Sequence, residues 1–158
     1  MTKIRIGELK RLIKEAIMEN VGILLRPKEY QATTDEGFEW LSKLNKSGTV
    51  FRGMANPEYR NTVGAGKPIL STMDFSFKHE GTSFTDDALT AESYANSGRS
   101  DPRKTGLSTY LIELKVTDTM KRDRDGYIKS VAPVPLSAIT RIWEMKLEDG
   151  NIVAYQIK

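Results

Sequence analysis

Apolar residues along this chain change their spacing part-way. Near the start, Ile6, Leu9, Ile13, Ala16 and Ile17 recur every three or four positions. That stripe predicts a basic amphipathic helix over residues 4–19, ended by Gly22 and Pro27. Phe38, Leu41 and Leu44 repeat the spacing after a Thr33/Glu36 capping box, with Trp40 beside the stripe and Gly48 as the stop. From there the period is mostly two. Residues 49–53 form a β-prone run ended by Gly, residues 54–67 a polar loop or short helix, and residues 69–72 a short strand. A polar strand over residues 82–85 leads into a helix expected to open at Asp86, with Leu89, Ala91 or Glu92, and Ala95 at helical spacing. Residues 96–106 read as a flexible surface loop. Tyr110, Ile112, Leu114 and Val116 alternate with Leu111, Glu113 and Lys115, predicting a strand with one buried face. A charged turn over 118–126, a strand over 127–134 closed by Pro135, and one helical turn at 136–138 follow. Strands over 139–147 and 152–157 are joined through Asp149-Gly150, a strong hairpin signal.

Helices first and clustered strands afterwards predict an α+β fold, not a doubly wound parallel sheet. The chain has 158 residues, 39% hydrophobic and 28% charged, as in soluble globular proteins. An arm over residues 1–22 and one domain over residues 28–158 are expected. No apolar run is long enough to span a bilayer, and the first residues lack the pattern of a secretory signal. A cytoplasmic location is therefore expected. There is no Cys and only one His, His79, which excludes a disulfide framework, a thiolate nucleophile and a His-rich zinc site within one chain. The formal charge is +3, and most of the excess lies in the arm, where Lys3, Arg5, Lys10, Arg11 and Lys14 occur with only Glu8, Glu15 and Glu19. A nearly neutral body argues against a dedicated nucleic-acid groove.

Two stretches carry candidate chemistry. Arg52-Gly53 ends an apolar strand, and a guanidinium gives planar, bidentate recognition of phosphate while Gly admits close approach. In the second stretch the hydroxyls of Thr82, Ser83 and Thr85 lie beside a helix start, which suits phosphates and sugar hydroxyls. Each stretch alone also fits an ordinary sheet rim or an ordinary helix cap. Arg99, Arg103 and Lys104 could meet an acidic partner or simply face solvent.

Taken together, the strand ending in Arg52-Gly53, the Ser83-Phe84-Thr85-Asp86 run leading into Ala91-Glu92-Ser93-Tyr94-Ala95, and the final set of strands resemble the ADP-ribosyltransferase superfamily. The Val131–Ile142 segment is similar to that family's stretch after the catalytic strand. The resemblance covers residues 50–158. It implies a split β-sheet core with N-terminal helices, and NAD as substrate. By that resemblance Arg52 and Gly53 take the dinucleotide phosphates. Thr82, Ser83 and Thr85 support the nicotinamide ribose, with Ser83 foremost, and Tyr94 stacks on nicotinamide or packs on the sheet. A late Glu normally stabilises the oxocarbenium-like transition state and activates the acceptor. This chain departs there. The run before the Val-Pro stretch offers only Asp123 and Asp125, and Glu144 lies one strand later, so Asp125 and Glu144 both stand as candidates. A missing acid would leave an NAD-binding domain with weak or no transferase activity.

The arm Ile6-Gly7-Glu8-Leu9-Lys10, continuing through Ile17, resembles N-terminal targeting arms on proteins of large tailed phages. Ile13-Lys14-Glu15 and Ile17-Met18-Glu19 match the triplet after which a phage head protease cuts. The resemblance implies phage head proteins as partners of the arm and delivery from the virion to the host cytoplasm. Two functions from different classes follow: ADP-ribose transfer from NAD to a protein acceptor, or a non-catalytic virion interaction protein on the same fold, docking through the arm.

Overall fold

The computed structural model describes residues 25–26, 35–69, 82–124 and 126–158. The expected arm helix, its cleavage triplets, His79 and most of the expected 69–72 strand lie outside the described residues. The architecture is α+β with two antiparallel sheets. In chain order the elements are β1 (Leu25–Arg26), α1 (Asp35–Leu44), β2 (Thr49–Met54), α2 (Asn56–Asn61), β3 (Thr82–Phe84), α3 (Ala88–Ala95), α4 (Pro102–Thr105), β4 (Thr109–Lys115), β5 (Met120–Arg122), β6 (Ile128–Ser130), β7 (Ile139–Glu148) and β8 (Asn151–Gln156). The larger sheet runs β1-β8-β7-β4-β2 and the smaller β3-β6-β5. Among the described residues, no helix is long and apolar enough to cross a membrane.

Alternation along the strands sorts two cores. Phe51, Leu111, Trp143, Met145 and Ala154 face one way and pack with Leu41 and Leu44 of α1 and Ala88, Ala91 and Ala95 of α3. Val50, Met54, Ile112, Leu114 and Ile142 face the other way, onto Phe84, Met120 and Ile128 of the small sheet. β4 is therefore buried on both faces rather than the expected one. Its one carboxylate on the helix side, Glu113, is neutralised by Arg141, whose Nε donates to Oε2 at 2.8 Å and Nη2 to Oε1 at 3.1 Å. The β7–β8 hairpin matches the expected turn. Asp149 and Gly150 have φ of 48° and 79°, the left-handed pair that a tight two-residue turn requires.

The two sheets meet at β2. Phe51 and Thr85 exchange both backbone bonds, at 2.7 and 3.0 Å. This is an isolated bridge, and beyond it β2 and β3 part. Helix α3 then lies on β2. A Cβ added at Gly53 would sit 1.9 Å from the Ala91 carbonyl oxygen, so only Gly permits this approach. The N-cap of α3 is Asp87, not Asp86; Asp86 pairs with Arg122 instead, at 2.9 Å. Asp87 accepts from the Leu89 N–H at 3.3 Å and the Thr90 hydroxyl at 2.7 Å. Asn45, just past α1, donates to Asp87 at 3.2 Å and accepts from the Ala88 N–H at 2.9 Å. Burial opposes the Asp87 charge, but hydrogen bonds from Thr90, Asn45 and the Leu89 and Thr90 N–H groups outweigh it, holding the carboxyl below its usual range.

The segment expected as a flexible loop is instead built around buried polar groups. Asn96 and Asp101 are buried. Asn96 Nδ2 donates to Glu92 Oε1 at 2.7 Å, and its Oδ1 accepts from the Thr109 hydroxyl. Asp101 caps α4 by accepting from the Arg103 N–H at 2.9 Å, and pairs with the Arg103 side chain at 2.8 Å. The expected 118–126 turn contains β5, held by pairing with β6 and by the buried Met120. The 127–134 strand is shorter, and Val134 bridges Ile69.

Gly53→Ala should destabilise by at least about 3 kcal/mol or prevent folding, because the clash is with backbone; urea unfolding measures it. Asp87→Ala should cost about 1 kcal/mol near neutral pH. A lowered folded-state pKa stabilises above the unfolded value of about 4, and the contribution is lost as pH falls through the folded value. The gap between Asp87→Ala and wild type should therefore narrow in acid urea titrations.

Candidate functional site: a cleft at the fork between the sheets

Where β2 and β3 part, a cleft of about 510 Å³ opens. That volume lies within the range of small-molecule sites. Its walls come from β2 and α2 on one side, β3 and β6 on the other, with α3 and the Gly98–Ser100 turn at the rim. Arg52, Gly53, Ser83, Thr85 and Tyr94, all expected at the site, line it. Arg52 lies on the inter-sheet face between Val50 and Met54. Continued pairing beyond the Phe51–Thr85 bridge would set Ser83 opposite Gly53. Instead, Arg52 Nη1 donates to the Ser83 carbonyl at 2.6 Å, so a side chain spans the fork where a ladder bond would have been.

The Arg52 head is otherwise held by Glu58 of α2. Its Nε donates to Glu58 Oε1 at 2.8 Å, and Nη2 makes a shorter bond to the same oxygen. The pair is mostly covered, with side-chain exposures of 11% and 20%. The guanidinium also sits over the Phe84 ring, 5.9 Å from its centroid. A guanidinium has five N–H donors. Three are used among the described residues, which leaves two for a ligand.

Ser83 is exposed and opens on the cleft, whereas Thr82 does not line it. Alternation turns Thr82 to the opposite, fully buried face. Thr85 lines the cleft, but its hydroxyl also accepts from the Asp87 N–H at 3.1 Å, so it serves the helix start. Gly53 lines the cleft as well, although the need for glycine there comes from α3, as shown above. Tyr94 is 61% exposed and stands at the rim with Tyr127, itself 42% exposed. Neither ring packs into the sheet. A side-chain hydrogen bond with Tyr127, then burial and the Tyr127 charge, push the Tyr94 phenol above its ordinary value.

Two carboxylates were expected to complete the site, and the structure places one of them, Glu144. Asp125 lies outside the described residues. Glu144 does not line the cleft. It lies two strands across from Met54, opposite Tyr110 and Tyr155. It accepts from the Tyr110 hydroxyl at 3.1 Å and pairs with Lys146 at 3.2 Å. Trp143 and Met145 do face the helix-side core, so Glu144 faces the other way as alternation required, but it meets tyrosines rather than open solvent. Tyr59 stacks on Tyr110 at 3.6 Å between centroids. Burial and the Glu144 charge push Tyr110 up to about 12 and raise Tyr59.

Two residues of the cleft carry no signal that the sequence pattern could have exposed. Glu58 lies in a stretch that reads as polar loop, and among the described residues it is the carboxylate that lines the cleft. Lys129 pairs directly with Ser83 across the β3–β6 ladder. β6 is the strand before the Val-Pro stretch, so a lysine stands beside Ser83 where an acid was expected. Among the described residues, no group of three or more His, Cys, Asp or Glu side chains could hold a metal ion.

No protein-family profile matches the chain, and no curated protein matches it. One solved structure is similar, protein CC0527 from Caulobacter crescentus. It is 14% identical, with a TM-score of 0.45, over 66% of this chain and 92% of that one. A likeness that loose carries no functional inference.

Tyr127→Phe should bring the Tyr94 phenol down toward the ordinary tyrosine value of about 10. Ultraviolet absorbance titration of the variant against wild type measures it; an unmoved Tyr94 would mean that the rim pair is not hydrogen-bonded.

Proposed function

We propose that this chain binds NAD in the inter-sheet cleft and transfers its ADP-ribose to a protein acceptor, on a core of the ADP-ribosyltransferase kind. The observation that carries this reading is the meeting of Arg52 and Ser83 across one dinucleotide-sized hollow, joined by the Nη1 bond to the Ser83 carbonyl. Arg52 supplies a planar phosphate contact through its two remaining N–H groups. The Ser83 hydroxyl supports the nicotinamide ribose, and the Tyr94–Tyr127 rim gives aromatic surface for a ring.

In transfer, the nicotinamide–ribose bond breaks and its electron pair leaves with the nicotinamide nitrogen, which becomes neutral. The ribose carbon carries the developing positive charge until the acceptor attacks it and loses a proton. A carboxylate beside that carbon favours both events. Glu58 is the carboxylate at hand for this role, since among the described residues it lines the cleft beside Arg52. Asp125 and Glu144 are the carboxylates that the resemblance offers, and Glu144 does not line the cleft.

A second reading has its own support. Lys129 beside Ser83 is the wrong charge for stabilising a cation, which favours a domain that binds the dinucleotide without turning it over. Such a domain fits an interaction protein of a virion, with the N-terminal arm as docking element.

Incubation with labelled NAD and a cell lysate tests the pair. Transfer should be abolished by Arg52→Ala and should fall by about 100-fold or more in Glu58→Gln, the usual scale for losing a catalytic acid or base. NAD binding without label transfer in wild type would select the second reading. No NAD binding by calorimetry would sink both.

A further inference from the structure

Ser83 is bracketed by two cations, and only one of them has been given a role. Lys129 stands directly across from it in the antiparallel ladder, where facing Cα atoms lie about 5 Å apart. Thr82, Phe84, Ile128 and Ser130 fill the buried face of this strand pair, so Ser83 and Lys129 share the opposite face and both line the cleft. Arg52 reaches the same serine from the other wall through its carbonyl. We propose that Lys129 is a second anion anchor, and that the cleft takes a ligand with two linked phosphates, one held by Arg52 and one by Lys129. This rests on the reading of the cleft as a phosphate site and adds to it a second residue that sets the length of anion preferred.

Both cations are already paired, Arg52 with Glu58 and Lys129 with Asp123 at 3.0 Å. The pairs differ in how easily they exchange. The Lys129 and Asp123 side chains are 33% and 23% exposed, against 11% and 20% for Arg52 and Glu58. The better-solvated pair loses less when it opens. Asp123 also keeps a partner after release, because the Tyr127 N–H donates to its Oδ1 at 3.0 Å. Lysine can follow a phosphate on its flexible stem, whereas the Arg52 fork is fixed by Ser83 and Glu58. A single phosphate can engage one anchor; a diphosphate engages both, so the paired arrangement selects for the longer anion.

Calorimetric titrations with inorganic phosphate and inorganic pyrophosphate, without metal and at fixed ionic strength, test this. Wild type should bind pyrophosphate at least about tenfold more tightly than phosphate, the scale of one charge-assisted contact. Lys129→Gln should lose most of that preference while phosphate affinity changes little, and Lys129→Arg should keep it. Lys121→Gln is the control, since Lys121 is the next residue across in β5 but does not line the cleft. An unchanged preference in Lys129→Gln, an equal loss in Lys121→Gln, or no pyrophosphate binding by wild type overturns the assignment. NAD is titrated in parallel to separate the two proposals. Pyrophosphate selectivity without NAD binding leaves the anchor standing and removes the dinucleotide; equal NAD affinity in wild type and Lys129→Gln does the reverse.

Discussion

One pair of backbone hydrogen bonds, between Phe51 and Thr85, decides the shape of this molecule. It couples the small sheet to the edge strand of the large one and then stops. If the ladder continued, β2 and β3 would close side by side and no cleft would exist. Because it ends at a single bridge, the next residue on β2 faces a gap, and that residue is Arg52. A long side chain with several donors is suited to that position. It satisfies the Ser83 carbonyl at a distance and brings charge to the gap in doing so.

The electrostatics of the cleft follow from that geometry. Among the described residues, two cations line it, and each is paired with an acid, Arg52 with Glu58 and Lys129 with Asp123. Balance of this kind keeps the protein stable when the cleft is empty of ligand, since an unpaired charge with Arg52's degree of burial would be costly. It also sets a threshold that an arriving anion must exceed. On the proposed reading, a weakly charged ligand would not displace a carboxylate already in place, whereas a phosphorylated one would. Helix α2 contributes more than Glu58 here. Its Tyr59 stacks on Tyr110, which ties the acid's helix to β4 and keeps the carboxylate beside the arginine.

The parts of this fold that were legible in sequence are those where one local rule acts alone. Period-two alternation located β2, β7 and β8, and Asp149-Gly150 located the turn between the last two. Pattern failed where polar residues were buried with partners. Glu113 made β4 look one-sided because Arg141, its neutraliser, is 28 residues away in the chain. Asn96 and Asp101 made a packed segment look like a loose loop. Adjacent aspartates hid which one caps α3, since the choice was settled by Asn45 and Thr90. At the site, Arg52, Ser83 and Tyr94 could be named because their residue types announce phosphate and ring chemistry. Thr82 was placed on the wrong side, because a three-residue strand carries too little alternation to set its phase. Glu58 and Lys129 were invisible, because helix formation over Asn56–Asn61 and the register of β3 on β6 are long-range outcomes.

Gly53 has a mechanical consequence. With the Ala91 backbone pressed onto it, α3 and β2 form one closely packed jaw that carries both Tyr94 and Arg52. The opposite jaw, carrying Ser83, Lys129 and Tyr127, is joined to it by the Phe51–Thr85 bridge and by the core that Phe84 and Ile128 share with Val50 and Met54. Widening the aperture would part the strands beyond Phe51 and Thr85, and the arginine's contact with the Ser83 carbonyl spans the gap that would have to open.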